Sequence, residues 1–262
     1  MNSNPQDGTS VKKYGLALHT ASRELGLAIS NFAGDSRCQT WNLDRDLATH
    51  LHQYLVEFIQ PQTWADLAFI AVAKGPGGFT GTRMGMVTAR TLAQQLDIPV
   101  FAVSTLAAVA WAAPPQPPLA KGGLLNTEPS LAKGGLLNTE PPQPPLAKGG
   151  LLSAEPPLAK GGFLSIALQM PAQRGQLFGA VYSVNKDSGL TELFPDTVMT
   201  AESWQEKLES WESSYQLIEV GSELGWSVSS VLELAYLEWQ MGSRPDWSDA
   251  LPFYGQHPVK GH

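Results

Sequence analysis

The stretch Lys74-Gly75-Pro76-Gly77-Gly78-Phe79-Thr80-Gly81-Thr82-Arg83-Met84-Gly85 decides the fold of this chain. It follows a continuous apolar run, Leu67 to Ala73, and it opens a longer segment, Thr80 to Gln95. A short apolar run bounded by glycine and proline predicts a strand covered on both faces, and the segment after it predicts a helix. The glycines therefore mark a turn from a buried strand into a helix.

Glycine-rich turns between a strand and a helix are typical of phosphate-binding loops, but the spacing here fits neither nucleotide motif. A P-loop would end in Gly-Lys-Ser/Thr, whereas Gly81 is followed by Thr82-Arg83. The dinucleotide fingerprint requires a third glycine where Thr80 stands. Spacing alone leaves open whether the glycines bind something or only permit positive φ and close backbone approach.

The predicted helix carries small residues at every fourth position, and these lie along one side of it. We call Gly81, Gly85, Ala89 and Ala93 the small-residue ridge. Such a ridge lets another helix or a sheet approach closely, so it indicates either internal packing or a docking surface for a partner helix.

The stretch from Gly75 to Gly85 resembles the signature of a known family. Gly75 to Gly85 is similar to the GPGSFTGLRIG signature of the bacterial TsaB proteins, and further matches follow in the family's order. These matches are Tyr14 to Ser22, Pro99 to Leu106, and Ser165 to Leu168. The resemblance covers Lys13 to Ala113 well and Phe163 to Tyr182 moderately.

The resemblance implies a noncatalytic relative of TsaD, the subunit that transfers a threonylcarbamoyl group to an anticodon-loop adenosine of tRNA. It implies an α/β fold of the actin-like ATPase (ASKHA, ribonuclease H-like) class, with two related halves that each contain a mixed sheet. The expected partners are a TsaD-type catalytic subunit and a TsaE-type ATPase in a larger complex, with tRNA contacted only indirectly. The expected location is the bacterial cytoplasm, and whether the isolated chain forms a homodimer stays open.

The element pattern agrees with such a fold. Apolar runs predict strands at Tyr14 to Leu18, Glu24 to Asn31, Cys38 to Leu43, Leu67 to Ala73 and Val100 to Val103. Helical spacing predicts a helix from Asp44 to Gln60, stopped by Pro61. Later elements are predicted as a strand from Phe163 to Leu168, a helix from Ala201 to Ser210, a strand from Gln216 to Val220 and a helix from Trp226 to Met241.

A low-complexity insert separates the two halves. Leu-Ala-Lys-Gly-Gly begins at Leu119, Leu131, Leu146 and Leu158, and prolines crowd the intervals. Such units bury too little apolar surface to offset the ordering of the backbone, which predicts a disordered linker; a structured repeat is the alternative. The predicted organisation is a flexible N-terminus (1–12), a first half with the partner-binding helices (13–113), the insert (114–162), a second half (163–254) and a flexible tail (255–262).

The ridge and the resemblance together predict a partner interface on the helix after the signature. Its predicted residues are Gly81, Arg83, Met84, Gly85, Thr88, Ala89, Leu92 and Ala93. The signature loop beside it comprises Gly75, Pro76, Gly77, Gly78, Phe79 and Thr80. Arg83 has three interpretations: it contacts an acidic group of the partner, it contacts a phosphate in a shared nucleotide site, or it is solvated.

Catalytic residues, metal ligands and cofactor-binding residues are not expected. Where the family commonly keeps an aspartate after the first strand this chain has His19, and it has Gln169 after the strand of the second half. An imidazole is a poor substitute for a carboxylate as a magnesium ligand. Two open points remain: a nucleotide between subunits, and the alternative of an ATP-binding enzyme of the same fold with hydrolase or transferase activity.

The remaining candidate groups have structural interpretations. His50 and His52 are two apart on a helix and cannot face one ion, and Ser104 is predicted to cap a helix that begins at Thr105. The lone Cys38 lies in a predicted strand. Gly221 and Gly225 flank a turn; the resemblance implies a place that contacts the adenosine in ATP-binding relatives, and the alternative is a turn that simply joins a strand to a helix. Pro252-Phe253-Tyr254 precedes a divergent tail, to which the sequence assigns no role.

Composition limits the class of protein and its partners. The 262 residues are 43% hydrophobic, which suits one large core or two small ones, and neither a signal peptide nor a membrane-spanning helix is expected. There are 17 basic and 24 acidic residues, a net charge of −7. Because phosphate neutralisation supplies most nonspecific affinity for nucleic acid, any tRNA contact is expected to come mainly from a partner.

Overall fold

The computed structural model describes residues 13–113, 165–185 and 189–255. The first half contains a five-stranded sheet made of β1 (Tyr14–His19), β2 (Glu24–Ser30), β3 (Ser36–Asn42), β4 (Leu67–Ala73) and β5 (Val100–Val103), in the order β3-β2-β1-β4-β5. β1 is antiparallel to β2 and parallel to β4, so the sheet is mixed. β4 is an uninterrupted apolar strand, as expected for a central parallel strand covered on both faces.

Three helices accompany the first sheet: α1 (Leu47–Ile59), α2 (Phe79–Leu96) and α3 (Thr105–Ala112). α1 ends before Gln60 and Pro61, as the proline predicted. Ser104 caps α3 because its hydroxyl accepts a hydrogen bond of 3.1 Å from the amide of Ala107, which confirms the predicted cap.

The second half contains a four-stranded mixed sheet. Its strands are β6 (Ser165–Pro171), β7 (Gln176–Asn185), β8 (Gly189–Thr200) and β9 (Tyr215–Glu219), in the order β8-β7-β6-β9. Two helices, α4 (Ala201–Glu209) and α5 (Val228–Gln240), complete this half. The β6–β7 pair is antiparallel and the β6–β9 pair is parallel, which repeats the pairing of β1 with β2 and β4. The prediction of two related halves with mixed sheets is confirmed.

The described residues form five layers of helices and sheets, which pack around three hydrophobic cores. α1 and α2 cover the outer face of the first sheet, where Leu16 and Leu18 of β1 are buried. α3 and α5 lie between the two sheets in a core that contains side chains of both halves. α4 covers the outer face of the second sheet, where Trp204 is buried. The central core joins both halves into one packed body.

A partly buried hydrogen-bonded cluster also joins the halves. Ser104, at the start of α3, donates to one oxygen of Asp196 at 2.6 Å, and the Tyr182 hydroxyl donates to the other at 2.7 Å. Burial raises the pKa of the Asp196 carboxyl, while both hydroxyl hydrogen bonds act in the opposite direction. Two donors directed at one carboxyl group satisfy its acceptors, as a buried acid requires.

Most predicted elements agree with the structure, and three points need correction. β6 continues to Pro171 instead of ending at Leu168, because its pairing with β7 extends to Leu177, so Gln169 lies within the strand and not after it. α5 begins at Val228 rather than Trp226, since a short 3-10 turn, Gly225–Ser227, precedes it. β7 and β8 were not predicted. The predicted insert, 114–162, and the predicted flexible termini, apart from Gly255, lie outside the described residues.

Candidate functional site

The small-residue ridge of α2 lies inside the chain, so the prediction that it docks a partner is corrected. Gly85, Ala89 and Ala93 are buried against the first sheet. A Cβ atom added at Gly85 would overlap the Thr20 hydroxyl, and one added at Gly81 would overlap the Thr20 carbonyl oxygen. The ridge therefore serves internal packing, the alternative that the sequence left open.

The signature loop sits directly on the end of β1. The amide of Gly78 donates to the carbonyl of Ala21 at 2.7 Å, and the Thr20 hydroxyl donates to the carbonyl of Gly81 at 2.8 Å. A Cβ at Gly77 would overlap the Ala21 carbonyl oxygen. These close approaches explain the glycines through backbone packing, without a bound phosphate.

The opposite side of α2 is exposed and apolar. Residues two positions apart on a helix point about 200° apart, so Arg83 and Val87 face away from Gly81 and Gly85. Val87 is 54% exposed, Phe79 at the start of the helix is 46% exposed, and Val56 on α1 is 52% exposed. Large apolar side chains exposed side by side are typical of an interaction surface.

These side chains border a groove of about 610 Å³ between α1 and α2, which we call the α1–α2 groove. It is lined by His52, Leu55, Val56, Trp64, Phe79, Thr80, Arg83, Met84, Val87, Thr88, Thr91 and Leu92. Of the predicted interface residues, Arg83, Met84, Thr88 and Leu92 line the groove, whereas Gly85, Ala89 and Ala93 lie on the buried side of the helix. That the lining residues contact a partner stays a prediction.

Arg83 contributes the guanidinium group of the α1–α2 groove. Its side chain is exposed, and among the described residues we find no hydrogen bond or ion pair that holds it. An unpaired guanidinium beside apolar side chains suits a partner that presents a carboxylate next to an apolar surface.

His19 is buried in the central core, at the end of β1. It follows the alternation of that strand and faces the same side as Ala17, toward α3 and α5. Burial lowers the pKa of His19 to about 4, and both ring nitrogens lack a hydrogen-bond partner among the described residues. The imidazole is therefore neutral near pH 7, without the negative charge that the family's aspartate would supply.

The described residues offer neither a metal cluster nor a serine nucleophile paired with a histidine. Nowhere in the described segments do three His, Cys, Asp or Glu side chains come close enough to hold a metal ion. His50 is half-buried and hydrogen-bonds the carbonyl of Asp46, while His52 is exposed in the α1–α2 groove. Ser104 contacts Asp196 and Tyr182 but no histidine, and Cys38 is exposed on β3.

Of the two glycines after β9, Gly225 has a packing explanation, whereas a Cβ added at Gly221 would meet no heavy atom within 4 Å. The amide of Gly225 donates to the Glu24 carboxylate at 2.9 Å, and a Cβ there would lie 2.8 Å from that of Glu24. This contact closes β2 against the turn before α5 and favours the structural interpretation of the turn.

Sequence reasoning missed a contact between the C-terminal segment and the groove. The rings of Phe79 and Tyr254 lie 4.6 Å apart at an angle of 36°. It also missed Val56 and Trp64, which come from outside the signature. The helical spacing of α1 indicated its buried side, but it could not reveal which exposed residues face α2.

Comparisons with known proteins agree with the resemblance found in the sequence. A family model described as "TsaD: tRNA N6-adenosine threonylcarbamoyltransferase" matches residues 55–121, a range that includes α2. Over 45 residues the chain is 58% identical to the tRNA threonylcarbamoyladenosine biosynthesis protein TsaB of Bacillus subtilis (strain 168), covering 17% of this chain and 20% of the relative. Over 51 residues it is 45% identical to the protein of the same name from Buchnera aphidicola subsp. Schizaphis graminum (strain Sg), covering 20% of this chain and 24% of the relative. These matches therefore span about a fifth to a quarter of the curated relatives.

Solved structures extend the similarity over the whole fold. A Pseudomonas aeruginosa protein described as uncharacterized, with similarity to peptidase YEAZ, has a TM-score of 0.62 at 18% identity, covering 93% of this chain and 99% of that one. A structure entitled "YeaZ from Pseudomonas aeruginosa" has a TM-score of 0.60 at 17% identity, covering 92% of this chain and 99% of that one. At this identity the likeness concerns the fold alone.

Together these comparisons confirm the resemblance to the TsaB family and the predicted actin-like fold class. No helix within the described segments is long and apolar enough to cross a membrane.

Proposed function

We propose that this chain is a TsaB-type subunit that pairs with a TsaD-type threonylcarbamoyltransferase and supports threonylcarbamoyladenosine formation in tRNA without catalysing it. The observation that carries this proposal is the exposed α1–α2 groove, whose α2 side lies within the range that matches the TsaD family model. The groove gives a protein partner apolar surface to bury, which is the main favourable contribution to most protein associations.

The chemistry of the groove suits a folded protein partner. Its lining is mostly apolar, with Val56, Phe79 and Val87 exposed where the two helices meet. Arg83 adds one positive charge, which orients a partner that carries a carboxylate at the matching place. We infer that a TsaD-type subunit fills the groove with apolar side chains and places an acidic side chain against Arg83.

A noncatalytic role is supported by His19, at the end of β1, and by Gln169, within β6. The buried, neutral His19 stands where the resemblance leads one to expect a metal-binding aspartate. Gln169 donates to Glu219 and accepts from the indole of Trp204, so both ends of its amide are engaged in the second half. We assign the transfer chemistry, the nucleotide and the tRNA contacts to the partner subunits; the net charge of −7 agrees with an indirect role toward tRNA.

The experiment is a pairing assay with the cognate TsaD-type subunit. Light scattering of the mixture is expected to give the mass of a complex, and Val87→Glu is expected to abolish it because a carboxylate would be buried in an apolar groove. Leu193→Glu is the matched control, since Leu193 is 44% exposed on β8, on the other sheet. Both variants should melt like the unmodified chain.

Two results would overturn the proposal. One is a chain that ignores the TsaD-type subunit at micromolar concentration but hydrolyses ATP by itself. The other is a complex that tolerates Val87→Glu and is lost with Leu193→Glu, since the docking surface would then lie on the second half. A homodimer that dissociates when the TsaD-type subunit is added agrees with the proposal, because both partners would compete for the same groove.

A further inference from the structure

We infer that Tyr254 is a positioning residue of the α1–α2 groove, because it holds the ring of Phe79 at the rim where the partner docks. The inference rests on the proposed function for its partner and on the chain's own contacts for its geometry. Tyr254 lies far from the signature in sequence, and the tail around it carried no predicted role.

The contact with Tyr254 supports Phe79 at a place where the chain itself offers few side chains. It is the first residue of α2, it follows two glycines that have no side chains, and it is 46% exposed. The ring of Tyr254 packs against it with centroids 4.6 Å apart. Aromatic pairs at this distance favour a defined mutual orientation.

The segment that carries Tyr254 is fixed to the signature loop. The amide of Phe253 donates to the carbonyl of Lys74 at 2.7 Å, immediately before that loop. Gly75 has a φ of 100°, and a Cβ there would lie 2.5 Å from the Phe253 carbonyl oxygen. The loop and the C-terminal segment therefore lie against each other with backbone in contact.

The same segment is fixed to the second half. The ring of Phe253 packs edge-on against Phe178 of β7, with centroids 6.3 Å apart. A Cβ at Gly255 would lie 2.5 Å from Phe178 and 2.6 Å from Val198 of β8. Residues 253 to 255 thus bridge the signature loop and the second sheet, and Tyr254 is held between two anchored neighbours. A side chain held in this way reduces the entropy that Phe79 would lose on docking.

The first test measures the affinity of the TsaD-type subunit by calorimetry for five chains: unmodified, Phe79→Ala, Tyr254→Ala, Tyr254→Phe and the double variant Phe79→Ala with Tyr254→Ala. Tyr254→Ala is expected to weaken pairing about fivefold, and Tyr254→Phe to restore it, because the ring rather than the hydroxyl makes the contact. If Tyr254 acts through Phe79, the double variant binds no more weakly than Phe79→Ala alone. The inference would be overturned if the affinity losses of the two single variants multiplied in the double variant. It would also be overturned if Tyr254→Phe bound as weakly as Tyr254→Ala.

The second test needs no partner and separates this inference from the proposed function. Hydrogen exchange of the isolated chain reports on the amides of Gly78 and Thr82, which donate to the carbonyls of Ala21 and Gly78. Tyr254→Ala is expected to speed their exchange, while the amides of β6 keep their rate. Tyr254→Leu, an apolar replacement, serves if the alanine variant does not fold. Unchanged exchange at Gly78 and Thr82 contradicts the inference; faster exchange in a chain that never binds the TsaD-type subunit supports it and removes the proposed function instead.

Discussion

The two sides of α2 differ in a way that reverses the simplest expectation from the sequence. The bare side, formed by the small-residue ridge, is packed inside the chain, and the side with larger residues faces outward along the α1–α2 groove. Small residues allow close approach but do not say what approaches. Here Thr20, directly after β1, approaches Gly81 and Gly85, so the opposite, exposed side of α2 is the one that remains for the proposed partner.

The largest effect is expected from filling the bare side. Gly85→Leu should destabilise the isolated chain by about 3 kcal/mol or unfold it, because the added side chain would overlap Thr20 in a packed core. Thermal unfolding measures this, and Val87→Leu, on the exposed side of the same helix, is the control that should melt normally. If Gly85→Leu melted like the unmodified chain and only lost pairing, the bare side would be the docking surface after all.

A smaller effect on stability is expected from the protonation of His19 at the end of β1, the strand next to the bare side of α2. Because burial lowers the pKa of His19 to about 4, the unfolded chain takes up a proton below pH 6.5 that the folded chain does not. Stability is therefore lost as pH falls from about 6.5 toward 4. Between pH 7 and pH 5 this contribution is about 2 kcal/mol.

Replacing His19 by leucine tests that expectation. Urea unfolding of His19→Leu and of the unmodified chain should give free energies whose difference shifts by about 2 kcal/mol in favour of the variant from pH 7 to pH 5. Taking the difference removes the contribution of groups common to both chains, Asp196 included. If the free energies of unfolding of the two chains changed equally with pH, His19 would have the same pKa in the folded and unfolded chain, which would contradict the expectation.

The smallest effect is expected from the charge on the exposed side. Arg83→Ala should weaken pairing with the TsaD-type subunit by about 1 kcal/mol, roughly fivefold, and should reduce its salt dependence, since a carboxylate of the partner would lose its counter-charge. Association rates at two salt concentrations measure this, and Arg90→Ala is the control, because Arg90 lies over Trp247 outside the groove. If Arg83→Ala and the unmodified chain had equal association rates with equal salt dependence, Arg83 would be solvated and would not contact the partner.

The sequence predicted the elements better than their surroundings. β4 and β5 have the predicted bounds because a continuous apolar run is a local signal. β8 was missed because its side chains alternate irregularly, and its polar, partly exposed residues resemble a loop.

The site was harder to predict for a related reason. The predicted interface combined Gly85 with Arg83, which lie on opposite sides of one helix, although helical spacing alone separates them. Tyr254 and Val56 could not be assigned at all, since their contact with the groove depends on how distant parts of the chain pack.

Side-chain footprinting with hydroxyl radicals, with and without the TsaD-type subunit, tests the docking surface most directly. On complex formation, Phe79 and Met84 at the α1–α2 groove should become protected from labelling. Met241, which is 74% exposed at the end of α5, should be labelled equally in both samples. Protection of Met241 with unchanged labelling of Phe79 and Met84 would contradict the assignment of the exposed side of α2 to the partner.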